Sequence, residues 1–389
     1  MSRLADLIAQ LCPDGVEYRA LGDVAELKRG QAVTRKEIVE GQVPVIAGGR
    51  EPAYYIDRPN RQGETIVIAG SGAYAGFVSF WNEPIFVSDA FSIVVDRGTL
   101  QPRFVYHWLR GRQETIHALK SGGGVPHVYP KDVAKLRCPI PPLEVQREIA
   151  RILDQFTTLE AELEAELTIR RRQHSFYRSE LLARESLQKR VGVLEYKTLG
   201  DLFETRNGYT PSKRDHTAWD RDDVPWFRME DIRENGGILE SALISISNSA
   251  VKAGRVFPAN SILVATSATI GAHALVTVEH LSNQRFTSLQ PKEIAYGLFD
   301  PYFLYYYCFL LDEYCLNHTN VSSFASVDMR AFRAFEFPIL PLDVQSEIVS
   351  ILDQFTGLET ELEAEIEARR AQCAYYRDRL LSFPEKKAE

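Results

Sequence analysis

The chain has 389 residues, of which 45% are hydrophobic, 25% charged and 11% aromatic. This composition is typical of folded protein and excludes wholesale disorder, and the length predicts two to three domains. A formal net charge of −8 argues against a uniformly basic nucleic-acid binder, although residues 1–141 carry +2, residues 142–190 zero, and residues 191–340 and 341–389 each −5. Any contact with a polyanion therefore has to be a local patch.

The absence of targeting signals and the pattern of cysteines indicate where the protein is expected to work. No run approaches the roughly 18 uncharged apolar residues that a membrane span needs, and the N-terminus shows no secretory signal. The five cysteines are odd in number, scattered and free of any CxxC pair, which favours a reduced chain without metal. We therefore expect a cytoplasmic protein that makes no contact with a membrane.

The strongest feature of the sequence is an internal repeat. Residues 139–182 and 338–381 align without gaps at an offset of 199, with 28 of 44 positions identical. The repeat extends to the openings of the two preceding segments, where residues 18–24 (YRALGDV) match residues 196–202 (YKTLGDL). The chain is therefore a duplication in which a variable domain and a near-constant segment alternate.

Both near-constant segments predict long helices. Apolar residues recur at steps of three and four from Ile149 to Leu167 and from Ile348 to Ile366, which suits coiled-coil packing. No glycine or proline interrupts residues 143–182, so a rod of roughly 60 Å is expected at 1.5 Å per residue. One helix of a compact bundle is the alternative, but two equal helices in one chain are well placed to pair.

The variable domains read as α/β. Residues 64–69, 90–95 and 261–266 are short strand-like runs, and prolines open predicted helices at 102–109 and 301–311. The prediction is an α+β chain made of two α/β domains (1–141 and 191–340) and two helical spacers (142–190 and 341–389). The helices are expected to be antiparallel, which would relate the halves by an approximate two-fold axis.

The repeated segments and the openings of the variable domains resemble those of a known family. The repeated pattern P-L-x-x-Q-x-E-I-x-x-I-L-D, the openings Leu21-Gly22-Asp23 and Leu199-Gly200-Asp201, and residues 11–18 (LCPDGVEY) resemble the specificity subunit of type I restriction-modification systems. The resemblance implies that each variable domain recognises half of a bipartite double-stranded DNA target. It further implies helices that set the spacer and dock two adenine methyltransferase subunits, beside restriction subunits that act as motor and nuclease. S-adenosylmethionine, ATP and Mg²⁺ would belong to those partners, with no cofactor and no catalytic residue on this chain.

Loops at matching positions are the candidate DNA contacts, because short polar and basic loops suit phosphates and base edges. We treat the loop 283–285 as equivalent to Ser88-Asp89-Ala90, and its three side chains are of types able to make bidentate base contacts. Solvated loops would look similar. The candidates are Lys28, Arg29, Arg35, Lys36, Ser71, Tyr74 and His127 in the first copy, and Arg206, Asn207, Tyr209, Thr210, Lys213, Arg214, Ser267, Thr269, Asn283, Gln284, Arg285, Ser322 and Ser323 in the second.

Three alternatives stay open at this point. Asp14, Glu26 and Lys28 satisfy the loose pattern of a metal-dependent nuclease, in which carboxylates hold Mg²⁺. The glycine-rich residues 70–76 could be a nucleotide loop, although their spacing is one residue too long for GxGxxG and favours a turn. A purely structural coiled-coil adaptor is the third possibility.

Overall fold

The computed structural model describes residues 2–34, 39–122, 124–252, 255–320 and 325–386. The chain divides into two compact units: unit 1 comprises Met1–Glu166 and Leu362–Glu389, and unit 2 comprises Leu167–Glu361. Helices and sheets are both present in each unit, so the chain is α+β as predicted. None of the helices in the described ranges is long and apolar enough to cross a membrane.

The helices lie before, between and after groups of consecutive strands. They are α1 (Ser2–Leu11), α2 (Leu21–Val24), α3 (Pro102–Arg110), α4 (Gln113–Ala118), α5 (Pro130–Val133), α6 (Leu143–Leu182), α7 (Arg184–Val191), α8 (Leu199–Leu202), α9 (Met229–Asn235), α10 (Pro301–Asn317), α11 (Met329–Ala334) and α12 (Leu342–Leu380).

The strands of unit 1 form a four-stranded antiparallel sheet in the order β2-β8-β5-β6, a three-stranded sheet in the order β4-β3-β7 and the pair β1-β9. They are β1 (Glu17–Ala20), β2 (Ala25–Arg29), β3 (Val43–Ile46), β4 (Tyr55–Ile56), β5 (Thr65–Ala69), β6 (Val78–Trp81), β7 (Phe86–Val87), β8 (Ala90–Val95) and β9 (Arg137–Ile140).

Unit 2 repeats this arrangement, with a five-stranded sheet in the order β11-β18-β15-β16-β13, a three-stranded sheet in the order β14-β12-β17, and the pairs β10-β21 and β19-β20. Its strands are β10 (Glu195–Thr198), β11 (Phe203–Asn207), β12 (Val224–Phe227), β13 (Ile238–Leu239), β14 (Ser245–Ile246), β15 (Ser261–Ala265), β16 (His273–Val276), β17 (Leu281–Ser282), β18 (Phe286–Pro291), β19 (Thr319–Asn320), β20 (Ser326–Val327) and β21 (Glu336–Ile339).

The core of each unit joins its main sheet to the start of a long helix. In unit 1 the buried strand residues Ile66 and Ile93 belong to the same apolar cluster as Ile149 and Leu153 of α6. In unit 2 Ile262 and Leu289 share a cluster with Ile348 and Leu352 of α12. The predicted seam is therefore used first to attach each helix to its own sheet.

The two long helices also contact each other within each unit. In unit 1 the Phe156 ring of α6 stacks on Tyr376 of α12 with 5.6 Å between centroids, and Arg370 Nε donates to Glu160 Oε1 at 2.6 Å. Within unit 2 the Tyr177 ring stacks on Phe355 at 5.3 Å. Inside each unit, residues later in one helix meet residues earlier in the other.

Candidate nucleic-acid interface

A glycine at the end of β2 and of β11 brings two loops together in each unit. Gly30 N–H donates to Ala90 O at 2.8 Å, and Gly208 N–H donates to Phe286 O at 3.0 Å. A Cβ added at Gly30 would lie 1.9 Å from Ser88 O, and one at Gly208 would lie 2.2 Å from Ser282 O. Because no side chain fits there, the turn after the first sheet strand lies directly against the loop before β8 or β18.

In unit 1 these loops border a cleft of about 410 Å³. Among the predicted residues, Arg29 and His127 line it, together with Asp89 and Tyr129. The His127 ring stacks on Tyr129 at 6.0 Å between centroids. Ser71, which is buried, donates its hydroxyl to Asp89 Oδ2 and so orients that carboxylate. The cleft thus presents a cation, an anion and an aromatic surface.

Among the described residues, Lys28 and Tyr74 were also predicted and do not line this cleft. Lys28 lies on β2 and forms an ion pair with Glu26 at 2.9 Å. Tyr74 is exposed, and the Arg50 guanidinium lies 4.9 Å from the centre of its ring. Arg35 and Lys36 lie outside the described residues.

Unit 2 has a larger cleft, of about 590 Å³, in which five predicted residues meet. Two tryptophan rings form its aromatic part, packed edge to face at 5.2 Å between the centroids of Trp219 and Trp226. Trp226 Nε1 donates to Tyr209 O at 2.9 Å, which holds the turn after β11 in place. The predicted residues in the cleft are Thr210, Lys213, Asn283, Gln284 and Arg285, and the others are His216, Trp219, Trp226, Arg228, Glu230 and Ile244.

Two of the predicted residues form hydrogen bonds inside this cleft. Asn283 Oδ1 accepts the backbone N–H of Arg285 at 3.0 Å, and Gln284 Oε1 accepts the Thr210 hydroxyl. A bidentate contact from an amide to adenine needs both its oxygen and its nitrogen. Each amide oxygen accepts one hydrogen bond and keeps a second lone pair, and each amide nitrogen stays a donor, so bidentate contacts from Asn283 and Gln284 stay a prediction. Within the described part of the chain, the Arg285 guanidinium has no acceptor, and both Gln284 and Arg285 are exposed.

Other predicted residues of unit 2 are engaged within the fold. Arg206 donates to Arg255 O at 3.1 Å, and Asn207 Oδ1 accepts the Thr287 hydroxyl at 2.9 Å. The Tyr209 hydroxyl donates to Ala250 O at 2.7 Å.

The predicted residues that remain in unit 2 lie in three places. Arg214 is exposed on the turn beside Lys213. Ser267 forms an isolated bridge with Ser326, and Thr269 N–H donates to Ser267 O at 2.9 Å. Ser322 and Ser323 lie outside the described residues.

Backbone hydrogen bonds also correct the equivalence of the two loops. Gly70 N–H, one residue beyond β5, donates to Asp89 O at 3.1 Å. Thr266 N–H, one residue beyond β15, donates to Arg285 O at 3.0 Å. Asp89 is therefore the counterpart of Arg285, and the alignment that pairs Arg285 with Ala90 is wrong by one residue. Unit 2 has one additional residue in this loop, which is why a gapless comparison misplaces it.

The residues of the two alternative sites, the metal-dependent nuclease and the nucleotide loop, lie in separate parts of unit 1. In the described ranges, no group of three or more His, Cys, Asp or Glu side chains is arranged to hold a metal ion. Of the nuclease candidates, Glu26 and Lys28 pair with each other on β2, and Asp14 lies in the turn after α1. Residues 70–76 connect β5 to β6, where Gly72 and Gly76 have φ angles of 82° and 84°. This backbone suits the turn interpretation of the glycine-rich segment.

Sequence reasoning missed several residues of these clefts. Arg228, Trp219 and Trp226 reach the unit 2 cleft from segments some 60 residues before the loop that carries Arg285, and no spacing rule connects them. Asp89 is not among the predicted contacts, although its segment was treated as equivalent to residues 283–285. Its position next to the start of β8, where the other copy has basic and amide side chains, was the available signal.

Comparison with known proteins identifies the family. Residues 13–169 and 194–368 match the model described as the type I restriction modification DNA specificity domain. The EcoprrI specificity subunit of Escherichia coli is 54% identical over 222 residues, which cover 54% of this chain and 55% of that protein. The match thus spans about half the length of that relative. The EcoR124I/EcoR124II specificity subunit of E. coli is 32% identical over 301 residues, 72% of this chain and 71% of the relative.

Solved structures agree at the level of the fold. The S subunit of Mycoplasma genitalium gives a TM-score of 0.57 at 18% identity and covers 96% of this chain and 97% of its own. A chain from a structure concerning complex assembly and conformational transition of the type I R-M system gives a TM-score of 0.59 at 19% identity, covering 95% and 98%. The chain therefore belongs to the specificity subunits of type I restriction-modification systems, which confirms the resemblance of its repeated segments.

Proposed function

We propose that this chain is the DNA sequence-recognition subunit of a type I restriction-modification complex and that units 1 and 2 each read one half of a bipartite target. The observation that carries the proposal is a repeated one. In each unit the same two strand ends border a cleft with exposed charged side chains, Arg29 and Asp89 in one and Lys213 and Arg285 in the other. Different side chains on the same frame suit two readers of different sequences.

The long helices are proposed to form an antiparallel coiled coil that sets the spacing between the half-sites. The contacts given above support this, because Phe156 meets Tyr376 while Tyr177 meets Phe355. Their positions advance in opposite directions, as expected for helices that follow one another in one chain and bury the same seam. An approximate two-fold relation between the halves would follow, with inverted half-sites and a fixed spacer.

The same helices are proposed to dock two adenine methyltransferase subunits, with restriction subunits joining as motor and nuclease. Glu162 and Glu361 are exposed at equivalent positions, and so are Phe176 and Tyr375, at 60% and 59% of their full exposure. Exposed aromatic and acidic residues that recur at equivalent positions of both helices suit partner helices with basic and apolar side chains.

The catalytic work would lie entirely with those partners. They would bind S-adenosylmethionine, ATP and Mg²⁺ and would extract the target adenine from the stack, because a stacked base cannot be methylated at its amine. This chain would contribute recognition and no catalytic step. We place the assembly in the cytoplasm, where its DNA would be.

Exchange of one variable domain tests the two-reader proposal. Residues 196–337 are replaced by the equivalent part of a relative, the chain is expressed with its methyltransferase subunits, and methylated adenines are mapped across the genome. One half of the motif should change, while the half assigned to residues 1–138 and the spacer stay the same. A change in both halves, or no change, would show that the units do not read separately.

Charge reversal tests the docking proposal. Glu162→Lys with Glu361→Lys should weaken co-purification of the methyltransferase, most strongly at low salt where charge attraction is least screened. Glu83→Lys, on an exposed turn of unit 1, is the matched control. Equal recovery of the partner from all three proteins at low and high salt would contradict docking on these helices.

A further inference from the structure

Equivalent backbone positions in the two clefts carry side chains of opposite charge. Asp89 and Arg285 each accept one backbone N–H from the residue that follows the central sheet strand, and each immediately precedes the next strand of its sheet. Both are exposed. Within the described residues neither forms an ion pair, and Arg29 lines the cleft of Asp89 without reaching salt-bridge distance. Neither charge is therefore explained by a structural partner of opposite sign.

The surroundings strengthen the difference between the two positions. The hydroxyl of buried Ser71 donates to Asp89 Oδ2, so the second carboxylate oxygen remains available as an acceptor. Around Arg285, the oxygens of Asn283 and Gln284 each accept one hydrogen bond from the fold, and the amide nitrogens of these side chains present N–H groups. The unit 1 loop thus offers an oriented acceptor, whereas the unit 2 loop offers a guanidinium beside two amide nitrogens.

The hydrogen-bonding groups on the base edges favour different side chains at these two positions. Phosphates repel a carboxylate, so an aspartate on a DNA-binding surface gains only by accepting from a base amine. In the major groove those amines are N4 of cytosine and N6 of adenine. An arginine instead donates two hydrogen bonds to O6 and N7 of guanine. Resting on the proposed function, we propose that Asp89 selects cytosine or adenine in one half-site and that Arg285 selects guanine in the other.

Asp89→Asn is the variant that changes the chemistry with the least change in shape. Its oxygen can still accept from Ser71, while its nitrogen places a donor where the outward acceptor was. Methylated motifs are mapped for the wild-type complex, for Asp89→Asn and for Arg285→Ala, each expressed with its methyltransferase subunits. Competition with duplexes that carry each of the four bases at the affected position then gives the discrimination.

The expected result for Asp89→Asn is loss of roughly tenfold or more discrimination in favour of cytosine or adenine, at one position of the half-site assigned to unit 1. Arg285→Ala should lose a similar factor in favour of guanine at one position of the other half-site. Ser71→Ala keeps the Asp89 carboxylate but removes the hydroxyl that orients it. This variant should weaken the preference for cytosine or adenine at that position without changing the preferred base.

Failure of the proposed function and failure of the Asp89 assignment would give different results. A wild-type complex that methylates no defined motif would overturn the proposed function itself. A defined motif that Asp89→Asn leaves unchanged, or changes at a position where the wild type prefers guanine or thymine, would overturn the assignment of Asp89 alone. Lower thermal stability of Asp89→Asn with an unchanged motif would likewise reduce Asp89 to a structural partner of Ser71.

Discussion

Two buried glutamines at equivalent positions should be among the least replaceable side chains of the fold. Gln345 is fully buried at the start of α12, where Nε2 donates to Leu298 O and Leu340 O, both at 2.8 Å. Its Oε1 accepts the N–H of Asp300 at 2.8 Å. In unit 1 the buried Gln146 makes the same three kinds of bond at the start of α6. Each glutamine fastens a long helix to the segment that precedes α3 or α10.

The size of the effect follows from the three bonds. Gln345→Ala leaves two carbonyl oxygens and one N–H buried without a partner, each at a cost of about 1–3 kcal/mol. Water that enters the space can satisfy part of this demand, so we expect a loss of roughly 3–6 kcal/mol in the free energy of unfolding. Gln345→Glu is the sharper variant, because it places an acceptor opposite two carbonyl oxygens. Protonation of that carboxyl restores one donor, so the loss should be smaller at acidic pH.

Urea unfolding of the purified chain measures this loss. Tryptophan fluorescence follows the unfolding of both units, since Trp81 and Trp108 lie in unit 1 and Trp219 and Trp226 lie in unit 2. Gln354→Ala, at an exposed position of the same helix, is the matched control and should change the free energy of unfolding by less than about 0.5 kcal/mol. A loss below about 1 kcal/mol in Gln345→Ala, or a Gln345→Glu variant as stable as the wild type at neutral pH, would refute the reasoning.

Two further predictions concern charge. Arg370→Ala removes a guanidinium that donates hydrogen bonds to Glu160 and Glu164. Because these groups are partly exposed, we expect the free energy of unfolding to fall by less than about 1 kcal/mol. Thermal unfolding measures this loss, which should become smaller as salt is added. An equal loss at high salt would contradict a screened ion pair. Lys213→Ala should reduce the slope of log binding constant against log salt by about 0.9 if Lys213 meets a phosphate. Arg206→Ala should reduce it less, because Arg206 already donates to Arg255 O; equal reductions would argue against that distinction.

The parts of the fold that sequence predicted well depend on local pattern. Helix α6 spans Leu143–Leu182 as predicted, because nothing in that run breaks a helix, and β8 spans Ala90–Val95 for the corresponding reason in a strand. Helix α10 is six residues longer than predicted. Its continuation holds Asp312, whose carboxylate binds His273 at 2.6 Å. This charged residue, which directly follows the predicted helix, is thus paired inside the unit, and local pattern cannot reveal such a partner.

The candidate site was predictable in kind but not in composition. Short polar loops at matched strand ends do border the clefts, and five predicted residues meet in the cleft of unit 2. Which side chains remain available depends on contacts between distant segments, such as Thr210 with Gln284 and Arg206 with Arg255. The single extra residue before β18 also shifts the equivalence of the loops, and only the backbone hydrogen bonds of the folded chain reveal that shift.

A buried histidine should make unit 2 sensitive to acid. His280 is fully buried, and its ring lies 5.5 Å, edge to face, from both Phe227 and Phe257. Its Nδ1 is 2.8 Å from Val278 O and acts as the donor, while within the described residues Nε2 has no hydrogen-bond partner. A second proton, on Nε2, would therefore be buried beside aromatic rings with no hydrogen-bond acceptor among the described residues. Burial accordingly lowers the pKa of His280 from 6.5 to about 4.

This pKa fixes both the sign and the size of the acid effect. Because folding lowers the pKa of His280, the unfolded chain binds a proton that the folded chain refuses, and stability falls as the pH falls from about 6.5 to about 4. At about 1.4 kcal/mol for each unit of pKa difference, the contribution of His280 to that loss is about 3 kcal/mol. Other groups titrate in the same range, so the wild type is compared with His280→Gln, which cannot take up the proton. The free energy of unfolding in urea is measured for both proteins at pH 7 and at pH 4. We expect the pH dependence of the variant to be shallower by about that amount, whereas His216→Gln, at an exposed position, should leave the wild-type profile unchanged. Parallel profiles for the wild type and His280→Gln would mean that the buried ring accepts its proton in the folded state, and the role assigned to its apolar surroundings would be wrong.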